Sequence, residues 1–368
     1  MGFVYEKIDF LLTISLGMLL TSAITLLIPW ITRADLLILA FGVNQIPFGA
    51  FEVGGNMMAK RLWSVSSSPS SLTRVTRVMQ GLQFAYGIGG LAAAAAAVAL
   101  PPSEQDEVPV YSRRATTHLL YPYSLISLLV LVNAVLTCVV GHAFPDSPAS
   151  IANWRNGCRC CSTQAADAPA TASVSRFWKG VCILLSLAFL FVYLGLEISF
   201  TGFLTPFVLR MPALHMDRRS GAHLTALFFA TFTLFRLATM AYISRIGNEG
   251  NLASCLTLVT TSSLLLLTLG SESRTALWAA VAAAGTGVSS IWASLFGFLE
   301  ERIPLSPLVS GLMVASGAAA EFVFPFLLSS FMQEHPSVLP WTVFSCSLAI
   351  SLLFALLSFV CRHKLKQR

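Results

Sequence analysis

The chain has 368 residues, of which 55% are hydrophobic and only 11% charged, with a net charge of +6. Soluble domains carry about 25% charged residues, so this composition excludes a globular protein surrounded by water and implies an all-α polytopic membrane protein whose first partner is the lipid bilayer. The positive balance does not point to nucleic acid, because the charges sit in short segments between apolar runs, where they set topology.

Taken in order, the apolar runs predict about ten spans, at 10–31, 35–58, 76–100, 119–143, 178–207, 221–244, 251–270, 275–299, 306–331 and 338–361. Each is near the ~20 residues that a helical crossing needs. Strand barrels are excluded by the length of the segments and their lack of strict alternation. Residues 1–10 read as a loop rather than a signal peptide. With the N-terminus inside, fifteen Lys and Arg fall in cytosolic segments and seven in outer ones, so both termini are expected in the cytosol; Arg218 and Arg219 are the main exceptions. The long polar stretch 144–176, with Pro145, Pro148 and Pro169, reads as a cytosolic linker. It divides the chain into an N-terminal bundle of four spans (1–143) and a C-terminal bundle of six (177–368). Carriers are often built from repeated halves, and two further helices before residue 1 would restore six plus six.

Polar groups at membrane depth are expensive, and they face a bundle interior or a wet cavity by default. In span two, Gln45, Gly49, Glu52 and Asn56 fall at i, i+4, i+7 and i+11 and so share one helical stripe. The bland alternative pairs Glu52 with a loop cation such as Lys60 and uses Asn56 to join helices. Gln80 and Gln83 in span three and Asn133 in span four fit ligand contacts or interhelical hydrogen bonds equally well. Span five carries Tyr193, Glu197, Thr201 and Thr205 at four-residue intervals. A row of hydroxyls around a carboxylate suits a polyol, whose OH groups both donate and accept; the threonines alternatively bond back to their own helix. Arg236, in the middle of span six, must pair or reach water, and Glu197 is the first partner to test. Glu321 follows the small residues 317–320 in span nine and needs a partner of its own. Glu300, Glu301 and Arg302 read as a charge cluster ending span eight.

Other chemistries find no support. The eight cysteines show no paired extracellular framework, and Cys158, Cys160 and Cys161 lack a fourth ligand nearby, so no metal site is expected. No nucleophile–base arrangement sits at membrane depth and no phosphate-cradling loop is present. The sequence therefore predicts neither an enzyme nor an ATP-driven pump, and no cofactor.

Several local strings, in order, resemble the major facilitator superfamily, and within it the sodium-dependent glucose transporter branch. GFVYEK at 2–7 is similar to the loop between that family's second and third helices. GAFEVGGNMMAKRLW at 49–63 resembles its fourth helix, VYLGLEISFTGFLTPFVL at 192–209 its seventh and FRLATM at 235–240 part of its eighth. LEERIPLSPLVSGLMVASGAAAEFVFPFLL at 299–328 is similar to the end of the tenth and most of the eleventh. The resemblance implies a major-facilitator-type helix bundle and a monomeric carrier of a sugar or other small polar solute, working by alternating access. Substrate binding or ion coupling is then expected from Gln45, Glu52, Asn56, Gln83, Tyr193, Glu197, Thr201, Arg236 and Glu321, with Na⁺ or H⁺ as the coupling ion and the plasma membrane as the location. The alternative is a non-transporting truncated isoform or a transporter-like scaffold, suggested by the absent helix pair.

Overall fold

A computed structural model describes residues 10–31, 33–63, 69–99, 113–143, 172–303 and 305–364. Regular structure among them is helical throughout: α1 (Phe10–Leu27) with a 3₁₀ turn (Ile28–Trp30), α2 (Ala34–Trp63), α3 (Pro69–Ala99), α4 (Arg113–Ala143), α5 (Ala172–Arg210), a second 3₁₀ turn (Pro212–Leu214), α6 (Arg218–Leu269), α7 (Arg274–Val288), α8 (Ile291–Glu300), α9 (Pro307–Phe331) and α10 (Val338–Lys364). Seven helices among the described residues are long and apolar enough to cross a membrane. The count of ten stays an expectation from the sequence. Polar residues and glycines interrupt the apolar runs of α2 and α3, and two expected spans are joined in α6.

Two of the expected spans meet in α6. Its 52 residues would be about 78 Å long if straight, at a rise of 1.5 Å each, far beyond a hydrocarbon core of about 30 Å. The element breaks at Gly247, whose φ of 76° and ψ of 168° lie outside the helical region. Only glycine takes up such a backbone without a Cβ clash. The span expected at 275–299 is broken too: α7 ends at Val288, α8 starts at Ile291, and Ser289 and Ser290 form the joint. Polar caps begin the helices where chemistry predicts. The Asp217 carboxylate accepts from the amide of Ser220 at 2.9 Å and from its hydroxyl at 2.5 Å, and these bonds hold its carboxyl below the usual range. Ser306 Oγ accepts from the Val309 amide at 3.3 Å, with Pro307 opening α9.

The chain forms two compact units. The first holds α1, α2 as far as Gly54, and α4. Its helices α1 and α4 are clasped by two serines: Ser22 Oγ donates to the Ser127 carbonyl and Ser127 Oγ to the Ser22 carbonyl, both at 2.9 Å. Hydroxyls often join helices in lipid, where no hydrophobic force separates helix from acyl chain. On α4, Leu125, Leu128, Leu129, Val132 and Leu136 are exposed, as a lipid-facing surface requires.

The second unit holds the end of α2, α3, α5 from Trp178 onward and α6–α10. Chain order alone groups α3 with α1, α2 and α4; compactness groups it with the later helices. Small residues explain the packing. Gly87 and Gly90 of α3 lie one turn apart and face Thr233 and Phe229 of α6, where a Cβ on either would collide. Gly195 of α5 meets Phe324 of α9, and Gly317 of α9 meets Leu194 of α5. Phe200, Phe228 and Phe232 stack through this unit, with ring centroids 5.6 and 5.8 Å apart. A Cβ on Gly285 of α7 would sit 2.5 Å from the backbone oxygen of Phe228. Because backbone cannot swing aside as a side chain can, Gly285→Val is expected to cost about 1–3 kcal/mol, read as a lower melting temperature of the purified protein in detergent.

Candidate functional site

Within the second unit, polar groups gather around the α7–α8 joint. A regular helix would use the Val288 and Ser289 carbonyls internally; the break frees them, and other helices supply the donors. The Tyr193 hydroxyl of α5 donates to the Val288 carbonyl at 3.2 Å. Arg236 Nε of α6 donates to the Ser289 carbonyl at 2.5 Å. Irregular backbone at membrane depth is stable only when protein or cavity water satisfies it in this way.

Arg236 is 1% exposed and reaches further. Its Nη1 donates to the Gln83 carbonyl at 2.5 Å and to the Gln83 side-chain oxygen at 2.9 Å. Its guanidinium carbon lies 3.9 Å from the centroid of the Phe232 ring, one turn earlier on α6. A planar guanidinium presents five N–H donors in a rigid fork, which suits this set of acceptors. Glu197 lies one turn beyond Tyr193 on α5 and is 8% exposed. Arg236 and Tyr193 are among its electrostatic neighbours, so the expected Arg236–Glu197 relation takes the form of a charge held in place by backbone and amide oxygens. Glu321 of α9, half-buried, acts repulsively on Glu197. Glu197 thus has a guanidinium and a second carboxylate among its electrostatic neighbours, an arrangement that can accept a proton or a small cation.

Of the other expected site residues, Gln83 joins this cluster directly. Thr201 bonds back to its own helix, at 3.1 Å to the Glu197 carbonyl. Glu52 lies on α2 in the first unit and is half-buried. Gln45 and Asn56 are on α2, but their side chains lie outside the described set, as do the cysteines at 158, 160 and 161.

Two groups of residues went unnoticed in the sequence. A hydroxyl–amide ladder leads from the joint: Thr239 Oγ1 lies 2.8 Å from Ser290 Oγ and 3.2 Å from the Tyr242 hydroxyl. Tyr242 donates to Asn251 at 3.0 Å, and Asn251 donates to Ser294 Oγ at 2.7 Å. Beyond it, Glu249 accepts from Arg302 at 2.6 Å, from Arg362 at 2.6 and 3.0 Å and from Ser358 at 2.6 Å. Arg302 also lies over the Phe298 ring at 3.8 Å. The expected cluster at 300–302 is therefore organised around an acid from α6. The only sequence signal was the string GNEGN at 247–251, polar and glycine-rich between two apolar runs.

The architecture defines the class: this is a polytopic membrane protein with the major facilitator fold. It matches the E. coli fucose:proton symporter at a TM-score of 0.67 and 15% identity, over 98% of this chain and 86% of that one. A bacterial homologue of the iron transporter ferroportin matches at a TM-score of 0.61 and 13% identity, over 97% of this chain and 85% of that one. No family model matches the chain. In sequence it is similar to the sodium-dependent glucose transporters: 22% identical to sodium-dependent glucose transporter 1 of Xenopus laevis over 96% of this chain and 70% of that protein. The human protein of the same name is 22% identical over 97% of this chain and 68% of its own length. These relatives are named as transporters, not as enzymes.

Proposed function

We propose that the protein is a secondary carrier of a small polar solute, with a hexose as the leading candidate, that works by alternating access and couples to Na⁺ or H⁺. The observation that carries this reading is the buried Arg236, which bonds the backbone of a helix joint and acts electrostatically on the membrane-depth carboxylate Glu197, itself a neighbour of Glu321. Intramembrane charges of this kind mark substrate and ion pathways, and broken helices border the binding sites of many carriers. The names of the relatives agree: glucose with sodium in one group, fucose with a proton in the other.

In this reading Tyr193, Glu197, Arg236, Gln83 and Glu321 bind solute or ion in the second unit. Gln45, Glu52, Asn56 and Thr201 belong to the same pathway. Residues 1–143 and 177–368 act as two bundles joined by a cytosolic linker at 144–176. The carrier works as a monomer in the plasma membrane with both termini in the cytosol. No cofactor is needed, since an ion gradient supplies the driving force.

The test is glucose and fucose uptake into proteoliposomes, driven by a sodium gradient or by a proton gradient. The wild type is expected to take up solute under one of the two. Glu52→Gln combined with Glu197→Gln should reduce that uptake at least about tenfold, a loss equivalent to about 1.4 kcal/mol. Undiminished uptake by the double variant would remove both carboxylates from the mechanism.

A further inference from the structure

Two thiols from helices far apart in the chain meet inside the second unit. Cys182 lies four residues after α5 enters that unit at Trp178, and Cys361 lies near the end of α10. Cys182 is fully buried and Cys361 is 3% exposed. Their sulfurs are 3.6 Å apart, although 179 residues separate the two positions. Neither thiol takes part in the site around Arg236. Cys361 directly precedes Arg362 and lies one turn beyond Ser358, and both of those residues bond Glu249. Glu249 and Arg302 are electrostatic neighbours of Cys361. The Arg362 side chain is 61% exposed, so water reaches the edge of the pair while the sulfurs themselves stay covered.

We infer that Cys182 and Cys361 form a redox-sensitive modification site, a dithiol that hydrogen peroxide converts into a disulfide joining α5 to α10. Packing alone asks only for two small apolar side chains here. What distinguishes this pair is that each sulfur has the other as its neighbour, so oxidation of one leaves a second thiol in place to resolve it. In the first step one thiol loses its proton, and the thiolate attacks a peroxide oxygen. The O–O bond breaks, a sulfenic acid forms, and the departing hydroxide takes up the released proton as water. The second thiol then attacks the sulfenic sulfur, the S–O bond breaks, and another water leaves. Two thiols and one hydrogen peroxide give one disulfide and two waters; the sulfurs are oxidised and the peroxide is reduced. The sulfurs must approach by about 1.5 Å to reach a bond of ~2.05 Å, which side-chain rotation and a small helix shift supply together. A small neutral oxidant suits so covered a pair, whereas a bulky charged disulfide does not. The bond ties α5, the helix that carries Tyr193 and Glu197, to the end of α10 that holds Glu249. Closing so long a loop also removes freedom from the unfolded chain. The inference stands whether or not the protein is a carrier.

The test uses the full chain, purified in detergent under reducing conditions and then exposed to hydrogen peroxide. Remaining thiols are alkylated, and the peptides are read by mass spectrometry. A linked peptide pair containing Cys182 and Cys361 is expected, lost again on treatment with dithiothreitol. Cys255 and Cys346 are buried too and serve as internal controls that should stay alkylatable after unfolding. The oxidised protein should melt about 5 °C or more above the reduced protein, and dithiothreitol should reverse that rise. Cys361→Ser should give no linked peptide and leave a sulfenic acid at Cys182 that dimedone traps; Cys182→Ser should show the converse. Absence of the Cys182–Cys361 link in the wild type would reduce the pair to apolar packing and overturn the inference. Oxidation of Cys255 and Cys346 to the same extent would overturn it as well, since the site would then have no selectivity. A link that leaves the melting temperature unchanged or lowers it would overturn the coupling of α5 to α10.

Discussion

Arg236→Met is expected to abolish uptake and to destabilise the protein by about 3–5 kcal/mol, the usual cost of removing one partner from a buried charge network. Met fills most of the aliphatic volume, so the loss is mainly electrostatic. The Ser289 carbonyl and both Gln83 oxygens lose their donor at once, and Glu197 loses the positive charge that offsets its burial. Among the described residues, the freed carbonyls of the α7–α8 joint then keep the bond from Tyr193. Arg236→Lys tests the geometry separately from the charge. A single ammonium cannot span three acceptors set for a planar fork, so Lys should recover part of the stability and little of the uptake. Melting temperature in detergent and initial uptake rate, measured on the same preparations, separate the two effects. Wild-type uptake by Arg236→Met would exclude the joint as the working site.

Glu249→Ala is the second large expectation. Glu249 binds Arg302 from the end of α8, and Arg362 and Ser358 from the end of α10. Its removal leaves two arginines facing each other without the acid between them. Hydrogen bonds to charged groups contribute about 1.5–3 kcal/mol each. Arg362 is largely exposed and its share is screened, so a total of about 2 kcal/mol is expected. Because these charges are partly solvated, the wild type should lose stability as salt is raised while Glu249→Ala does not. Equal salt sensitivity in the two proteins would show that the cluster contributes little. Glu249→Gln keeps the acceptor and should fall between them.

Much of the candidate site was legible from spacing alone. Tyr193 and Glu197 were marked by their four-residue interval on one helix, and both prove buried. Arg236 was marked as a cation that cannot be neutralised, and it proves fully engaged. Thr201 shows where spacing stops being informative: its position in the row suited a ligand contact or a bond to its own helix, and its hydroxyl bonds the preceding turn. A hydroxyl in a helix always has that local acceptor within reach, so sequence cannot separate the two roles. Glu249 was missed because it reads as one more loop charge, and its partners lie 53 and 113 residues away along the chain.

Composition and periodicity by themselves determined that this chain lives in a bilayer, that it crosses as helices, and which charges must find company there. Those conclusions depend on the cost of polar groups in hydrocarbon, which each segment meets on its own. Only the tertiary structure decided which company they keep. The joint at Ser289–Ser290 lies within a run that reads as one continuous span, and no residue there forces a break. It exists because Tyr193 and Arg236 arrive from two other helices to satisfy the carbonyls it frees, and a bond between distant helices leaves no local mark on either.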